Sequence, residues 1–320
     1  MTAAINVENL VKSFSGVQAV AGLTFTVNQG ELFGFLGPNG AGKTTTINML
    51  TGLARPDQGK MHLAGIDCSR DVKAAQHLMG VVPDESNLYP ELTGFENLAF
   101  CGALYGLSKT KRRSRARELL QEFGLEQAAH RNFACYSKGM KRKLTIAAAL
   151  MHEPDILFLD EPTSGVDVAS SRSIRKLIRD LNQAGTTIFL TTHYIEEAER
   201  FCERIAFIVS GRIVHSDSVQ NLMQPYEGQD IMELTLSSID REVLQELKQD
   251  FSSWEIQQIS SQQIRFQGEQ NIPLNSLLMW CMERELEIIE ARRVHPALED
   301  VFVRITGIAS EKLNEQQPGT

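Results

Sequence analysis

The chain begins with segments in which apolar and polar residues alternate with period two, as in antiparallel strands that have one buried face. These segments are residues 5–7, 18–20 and 23–27. Three later segments are almost continuously apolar, which is typical of strands buried on both faces of a parallel sheet. They are residues 32–36, 156–160 and 187–191. Together the two patterns predict an α/β fold with a parallel core and an antiparallel β subdomain.

Between residues 83 and 151 the apolar residues recur at helical spacing instead. The predicted amphipathic helices are residues 96–105, 109–123 and 137–151. They predict a helical subdomain, at about residues 85–152, inserted into the first domain. A further helix at residues 170–184 separates the last two apolar strands, and Ser210 with Gly211 predicts a β-hairpin.

After a linker at residues 224–228, elements are predicted in the order β-α-β-β-α-β, the split βαβ or ferredoxin-like plan. The strands are residues 231–237, 254–259, 262–267 and 286–292, and the helices are residues 240–250 and 272–284. We therefore predict a first domain at residues 1–223 and a small C-terminal α+β domain at residues 228–307. The polar end, residues 308–320, is predicted to be disordered.

The formal net charge of −8 over 320 residues argues against nucleic acid as a partner. From residue 225 onward there are 17 Asp and Glu residues against 8 Lys and Arg residues, whereas acidic and basic residues are nearly equal in number in the rest of the chain. This difference supports a domain boundary.

The five cysteines show no Cys-x-x-Cys pair, which favours a reducing compartment over disulfides or zinc. No signal peptide is visible, and even an apolar run as long as residues 146–151, which no other run exceeds, is too short to span a membrane.

A glycine-rich segment between a predicted strand and a predicted helix matches the phosphate-binding loop pattern. In such a loop the backbone N–H groups and the helix N-terminus face an anion. Lys43 is then expected to bridge the β- and γ-phosphates of a nucleotide, and the Thr44 hydroxyl to bind Mg²⁺. The predicted nucleotide-binding residues here are Gly37, Pro38, Asn39, Gly40, Ala41, Gly42, Lys43, Thr44 and Thr45.

Two carboxylates end the apolar strand at residues 156–160, and ligands bind at the carboxyl ends of parallel strands. Asp160 is placed to hold the Mg²⁺ of a nucleotide gripped by Lys43 and Thr44. Glu161 is placed to polarise an attacking water.

Over about residues 3–220 the chain resembles the nucleotide-binding subunit of ATP-binding cassette (ABC) transporters. Residues 37–45 match the Walker A motif, residues 157–161 match Walker B with its catalytic glutamate, and residues 164–167 match the D-loop. The resemblance implies a P-loop NTPase with a RecA-like core. It also implies that His193 is the switch histidine and that Phe14 stacks on adenine, although taken alone Phe14 also fits a core position and His193 an ordinary loop histidine.

The family signature, ideally Leu-Ser-Gly-Gly-Gln, corresponds to residues 136–140, which retain Ser137 and Gly139. Ser137 makes a good N-cap for the helix that follows. In the family this helix N-terminus faces the γ-phosphate of ATP held by the partner subunit. The resemblance therefore implies a homodimer, in which Ser137 and Gly139 of one copy complete the ATP site of the second copy.

Asp84 stands where the family usually has a glutamine that senses Mg²⁺ and the attacking water. A carboxylate is a good Mg²⁺ ligand, so Asp84 is expected at the metal directly or through water. Residues 88–98 correspond to the region by the groove that receives a helix from the membrane subunit. Residues 295–307 resemble the end of ATPases that drive separately encoded exporter permeases.

The resemblance thus implies an ATP- and Mg²⁺-dependent ATPase subunit of an ABC exporter, which partners a second copy of itself and an integral membrane permease. It implies a cytoplasmic protein that is peripheral on the inner face of the cell membrane through that permease. The alternatives are a soluble ABC ATPase not linked to transport, an importer ATPase, or a binding-only module. One P-loop without sustained heptads argues against the first, and Glu161 with His193 argues against the last.

Overall fold

The computed structural model describes residues 2–226, 228–269, 271, 273–294 and 297–308. The chain divides into two compact units. The first runs to Val219 and includes the segment that starts at Phe302, and the second is Gln220–Val301. The disorder predicted at the C-terminal end falls, from residue 309 onward, outside the described residues, as do His295 and Pro296 of the exporter-like run.

The strands of the first unit, numbered along the chain, are β1 (Ala3–Phe14), β2 (Val17–Asn28), β3 (Leu32–Leu36), β4 (Gln58–Leu63), β5 (Ile66–Asp67), β6 (Met79–Val82), β7 (Ile156–Asp160), β8 (Thr187–Thr192), β9 (Arg204–Val209) and β10 (Arg212–Ser218). Its helices are α1 (Lys43–Leu50), α2 (Val72–Gln76), α3 (Gly94–Leu104), α4 (Lys109–Glu122), α5 (Lys138–Ala149), α6 (Val168–Gln183) and α7 (Ile195–Phe201). After α8 (Val219–Met223), the chain continues with β11 (Asp230–Leu236), α9 (Arg241–Asp250), β12 (Glu255–Gln258), β13 (Gln263–Gly268), α10 (Leu274–Glu283), β14 (Ile288–Val294) and α11 (Leu298–Thr306).

The core sheet has the order β6-β7-β8-β3-β9-β10, and its strands are parallel except for the β9–β10 hairpin. The α/β fold with a parallel core is thereby confirmed. β3, β7 and β8 are buried along their whole length, as their continuous apolar sequences predict. β6 was not predicted, because it is only four residues long and its second residue is Gly80, which lies too close to Ala149 O to carry a side chain.

The antiparallel sheet has the order β2-β1-β4-β5. Residues 18–20 and 23–27, predicted as separate strands, both belong to β2, so that prediction was wrong in extent. Pairing with β1 carries β2 through Gly22, whose φ is 86°, and register shifts along the pair absorb the irregularity.

Five phenylalanine rings join the two sheets. The Phe189 ring of β8 lies 5.4–5.9 Å, centroid to centroid, from the rings of Phe25, Phe33, Phe35 and Phe158. Phe25 belongs to the antiparallel sheet and the others to the parallel sheet. Phe189 therefore lies at the centre of the core that fixes one sheet against the other.

The segment between β6 and β7 is helical, as predicted, and each of its three helices has a side-chain N-cap. Thr93 and Glu96 form a capping box at α3, Ser108 accepts from Lys111 N at α4, and Ser137 accepts from Met140 N at α5. These local signals explain why the starts of the helices could be predicted closely from the sequence.

The second unit has an antiparallel sheet of order β12-β13-β11-β14, with α9 and α10 in the crossovers. This is the strand order of the split βαβ plan. Its own hydrophobic core includes Leu234, Phe266, Leu277 and Trp280. Among the described residues, no helix combines the length and the apolar character needed to cross a bilayer.

We expect Phe189→Ala to lower the free energy of unfolding by about 3–5 kcal/mol, because it removes a fully buried ring that contacts four others. Chemical denaturation followed by circular dichroism measures this change. Leu104→Ala, at a position that is 70% exposed, is the control and should cost far less. A loss below about 1 kcal/mol for Phe189→Ala would contradict the central role of this ring.

Candidate nucleotide-binding site

Two glycines of the loop after β3, Gly37 and Gly42, are required by close backbone packing. A Cβ atom on Gly37 would lie 2.1 Å from Ile208 O, and one on Gly42 would lie 2.5 Å from Ala19 O. Gly42, with φ 104°, is also the N-cap of α1 and supplies no side-chain cap. The first N–H groups of α1 are therefore left to an external acceptor, as an anion-binding helix start requires.

Lys43 lies buried beneath this loop. Its Nζ donates to Gly37 O at 2.7 Å and to Pro38 O at 3.3 Å, and it lies 3.2 Å from Glu161 Oε1. The next residue, Thr44, is exposed in the first turn of α1. The loop thus presents a cation and a hydroxyl at one end of the sheet.

The two carboxylates after β7 lie side by side in sequence but have different partners. Asp160 Oδ1 accepts a short hydrogen bond from the Thr191 hydroxyl of β8. Glu161 has a φ of 48°, a left-handed conformation that is uncommon for glutamate, and its N–H donates to Thr191 O at 3.1 Å. This turn directs the Glu161 side chain to Lys43 and His193.

His193, directly after β8, contacts the second oxygen of Glu161. The distance from His193 Nδ1 to Glu161 Oε2 is 2.8 Å. Burial raises the pKa of Glu161, but the hydrogen bond from His193 and the charge of Lys43 outweigh it and hold the pKa below its usual value. Glu161 is therefore ionised at neutral pH. Its Oε1 is buried and lies in the ion pair with Lys43, although no described residue donates a well-aligned hydrogen bond to it.

Arg142 is a buried residue of this region that the sequence did not single out. From α5 its guanidinium donates to three backbone carbonyls, at 2.6 Å to Pro83 O, 2.7 Å to Asp84 O and 3.3 Å to Glu161 O. Its position in a predicted helix within a basic stretch gave no signal, because the three acceptors are backbone atoms of distant segments. Arg142 therefore connects α5 to both the segment after β6 and the strand end that carries Glu161.

Asp84 lies at the edge of the site, with Oδ1 3.4 Å from Arg142 Nη2. Partial burial raises the pKa of this carboxyl, and the charges of Asp160 and Glu161 add to the rise while Arg142 opposes it.

The remaining predicted residues lie apart from this cluster. Ser137 is exposed, and no hydrogen bond or ion pair among the described residues joins it to Lys43 or Glu161. Gly139 is buried, and a Cβ there would lie 2.3 Å from Ser170 Oγ, so glycine is required for packing. Phe14 is 50% exposed at the end of β1, with Lys12 Nζ 5.1 Å from its ring centroid, so it is not a core residue.

The donor set suits a hard cation bound with a nucleotide. Thr44, Asp84 and Asp160 offer only oxygen ligands, and Mg²⁺ in such sites takes one or two carboxylates together with phosphate oxygens. No group of three or more acidic, His or Cys side chains that could hold a metal alone occurs in the described residues.

Comparison with known proteins agrees with this geometry. The ABC transporter family profile matches residues 20–164. The chain is 34% identical over 308 residues to the linearmycin resistance ATP-binding protein LnrL of Bacillus subtilis, covering 95% of this chain and 98% of the relative. It is 37% identical over 315 residues to the Nod factor export ATP-binding protein I of Rhizobium sp. strain N33. That match covers 97% of this chain and 99% of the relative.

A solved dimeric ATP-binding cassette in a post-hydrolysis state, bound to ADP and Pi, superimposes with a TM-score of 0.63 at 27% identity. The match covers 67% of this chain and 98% of that structure. With relatives matched over nearly their whole length and a phosphate loop, carboxylates and histidine at one sheet edge, this chain belongs to the ABC transporter family, as one of its ATP-binding proteins.

Proposed function

We propose that this chain is the ATPase subunit of an exporter and hydrolyses ATP at the carboxyl edge of the core sheet. The observation that carries the proposal is the buried Lys43–Glu161–His193 arrangement, in which cation, carboxylate and imidazole come from three neighbouring strand ends. Phosphate binding falls to the loop after β3, and Phe14 offers an exposed ring for the adenine. The fit of the oxygen donors assigns Thr44, Asp84 and Asp160 to Mg²⁺, which would neutralise charge on the phosphates.

In this proposal Glu161 is the general base. Its Oε1 faces Lys43 Nζ at 3.2 Å in this structure, and it receives the proton of the attacking water once Lys43 turns to the phosphates. His193 holds Oε2 and so fixes the orientation of the carboxylate. Lys43 exchanges its bonds to Gly37 O and Pro38 O for bonds to phosphate oxygens.

The complete site is shared by two copies of the chain. Ser137 caps α5 yet remains exposed, with the free N–H groups of that helix start beside it. We assign this helix start, with Gly139 behind it, to the γ-phosphate of ATP held by the second copy. The dimeric solved cassette supports this assembly.

The functions of the relatives, linearmycin resistance and Nod factor export, support export over import. We therefore propose that a separate integral membrane permease is the second partner, and that the chain is held through it at the cytoplasmic face of the membrane. The cargo is then chosen by that permease.

We expect Glu161→Gln to retain ATP binding and to lower the hydrolysis rate by about 10²–10⁴-fold, because the amide cannot accept the proton from water. Single-turnover hydrolysis and nucleotide titration measure the two properties separately. Glu196→Gln on α7, where the side chain is 77% exposed, is the matched control and should leave the rate unchanged. Near-normal turnover by Glu161→Gln would show that another group is the base.

We expect Ser137→Arg to abolish ATP-driven dimerisation while monomers still bind ATP, because the larger side chain holds the helix start away from the opposite phosphate. Size-exclusion chromatography with ATP, in the Glu161→Gln background, measures this. Ser108→Arg replaces the N-cap serine of the neighbouring helix and is the matched control. If the Ser137→Arg protein dimerises as well as the Ser108→Arg protein, the shared site is wrong and hydrolysis must occur within one subunit.

A further inference from the structure

The sheet of the second unit ends in a long strand at one edge. β14 has seven residues, whereas the opposite edge strand, β12, has four. β14 pairs with β11 on one side, and within the described part of the chain no strand pairs with its other side. Its sequence contains no lysine or proline, two residues that commonly prevent edge strands from pairing.

A bulge at Ile289 interrupts this edge only near the start of the strand. Thr235 of β11 pairs with Glu290 and Leu236 pairs with Ile288, which leaves Ile289 as the extra residue. From Glu290 to the end of β14 the register is regular. This regular stretch is therefore geometrically able to add another strand.

Charged side chains on the regular stretch are only partly used within the chain. Arg292 is 56% exposed and donates through Nε and Nη2 to Glu233, and its Nη1 donates to no acceptor among the described residues. Glu290 lies on the same face of the sheet, is exposed, and has no ion-pair or hydrogen-bond partner among the described residues. Ala291 between them points to the opposite face and packs on the core.

The charges of this stretch are complementary to those of a second, antiparallel copy of the same stretch. When two copies of β14 lie antiparallel with Ala291 opposite Ala291, Glu290 of each copy lies opposite Arg292 of the other, on the same face. Centring the pair on Arg292 would instead place two guanidinium groups opposite each other. The first register therefore supplies two ion pairs and continues the sheet across a two-fold axis.

We propose that the β14 edge is a self-association surface, through which the second units of two copies form one continuous antiparallel sheet. The contact does not involve the ATP site and goes beyond the ATP-driven dimer proposed above. A single strand pair is weak in isolation, so we expect a reversible association that covalent trapping detects.

The register is tested by Ala291→Cys in the full chain, without nucleotide, under mild oxidation. Directly opposite residues of antiparallel strands have Cα atoms about 4.5–5.5 Å apart, within the range for a disulfide. We expect a covalent dimer on non-reducing gels. Wild type reports the background from the native cysteines, and Ile259→Cys, exposed just after β12, is the matched control for the opposite edge. Cross-linking of Ala291→Cys no greater than that of these two controls would overturn the proposal.

A charge reversal tests the ion pairs. Glu290→Arg in the Ala291→Cys background places like charges opposite each other twice, and we expect it to lower the cross-linking rate about tenfold. An unchanged rate would overturn the proposed register. If Ala291→Cys does not fold, a mixture of Glu290→Cys and Arg292→Cys chains probes the same register within the regular stretch, at exposed positions. The mixture should cross-link, whereas each chain alone should stay at the wild-type background. A mixture that stays at that background would overturn the register. Normal ATPase activity without any cross-link would refute the edge contact and leave the proposed function standing.

Discussion

The ion pair between Lys43 and Glu161 depends on the parallel order of three strands. β3 and β7 both lie beside β8, so the loop after β3, the carboxylates after β7 and His193 after β8 leave the sheet at the same edge. A buried lysine needs a negative partner, and a buried carboxylate needs a positive one. The ion pair therefore compensates both buried charges, and it fixes the phosphate loop relative to the proposed base.

Arg142 extends this arrangement into the helical segment. Its three backbone acceptors lie in two segments that are far apart in sequence, the one after β6 and the strand end at Glu161. Because a buried guanidinium must satisfy its donors, movement of α5 would displace both segments together. The helix that begins at Ser137 is thus physically connected to the site where hydrolysis is proposed.

In the second unit, the two faces of the sheet carry different kinds of side chain. Its helices cover one sheet face over an apolar core, while the other face carries Glu233 between Arg265 and Arg292. Burial raises the pKa of Glu233, and its two arginine partners hold it below the usual value, so the carboxylate stays charged. The same network leaves Arg292 exposed at the edge strand, where the charge pattern favours a second copy.

The sequence by itself determined the features that depend on residues close together along the chain. These are the glycine-rich loop, the continuous apolar strands, the serine caps of α4 and α5, and the alternation of elements in the second unit. Tertiary structure alone decided which strands are neighbours, that β2 is one strand, that His193 meets Glu161, and that Arg142 binds carbonyls of two remote segments. Local sequence patterns reflect backbone propensity and burial. The contacts named above join segments that are separated by many residues and that become adjacent only when the sheets pack.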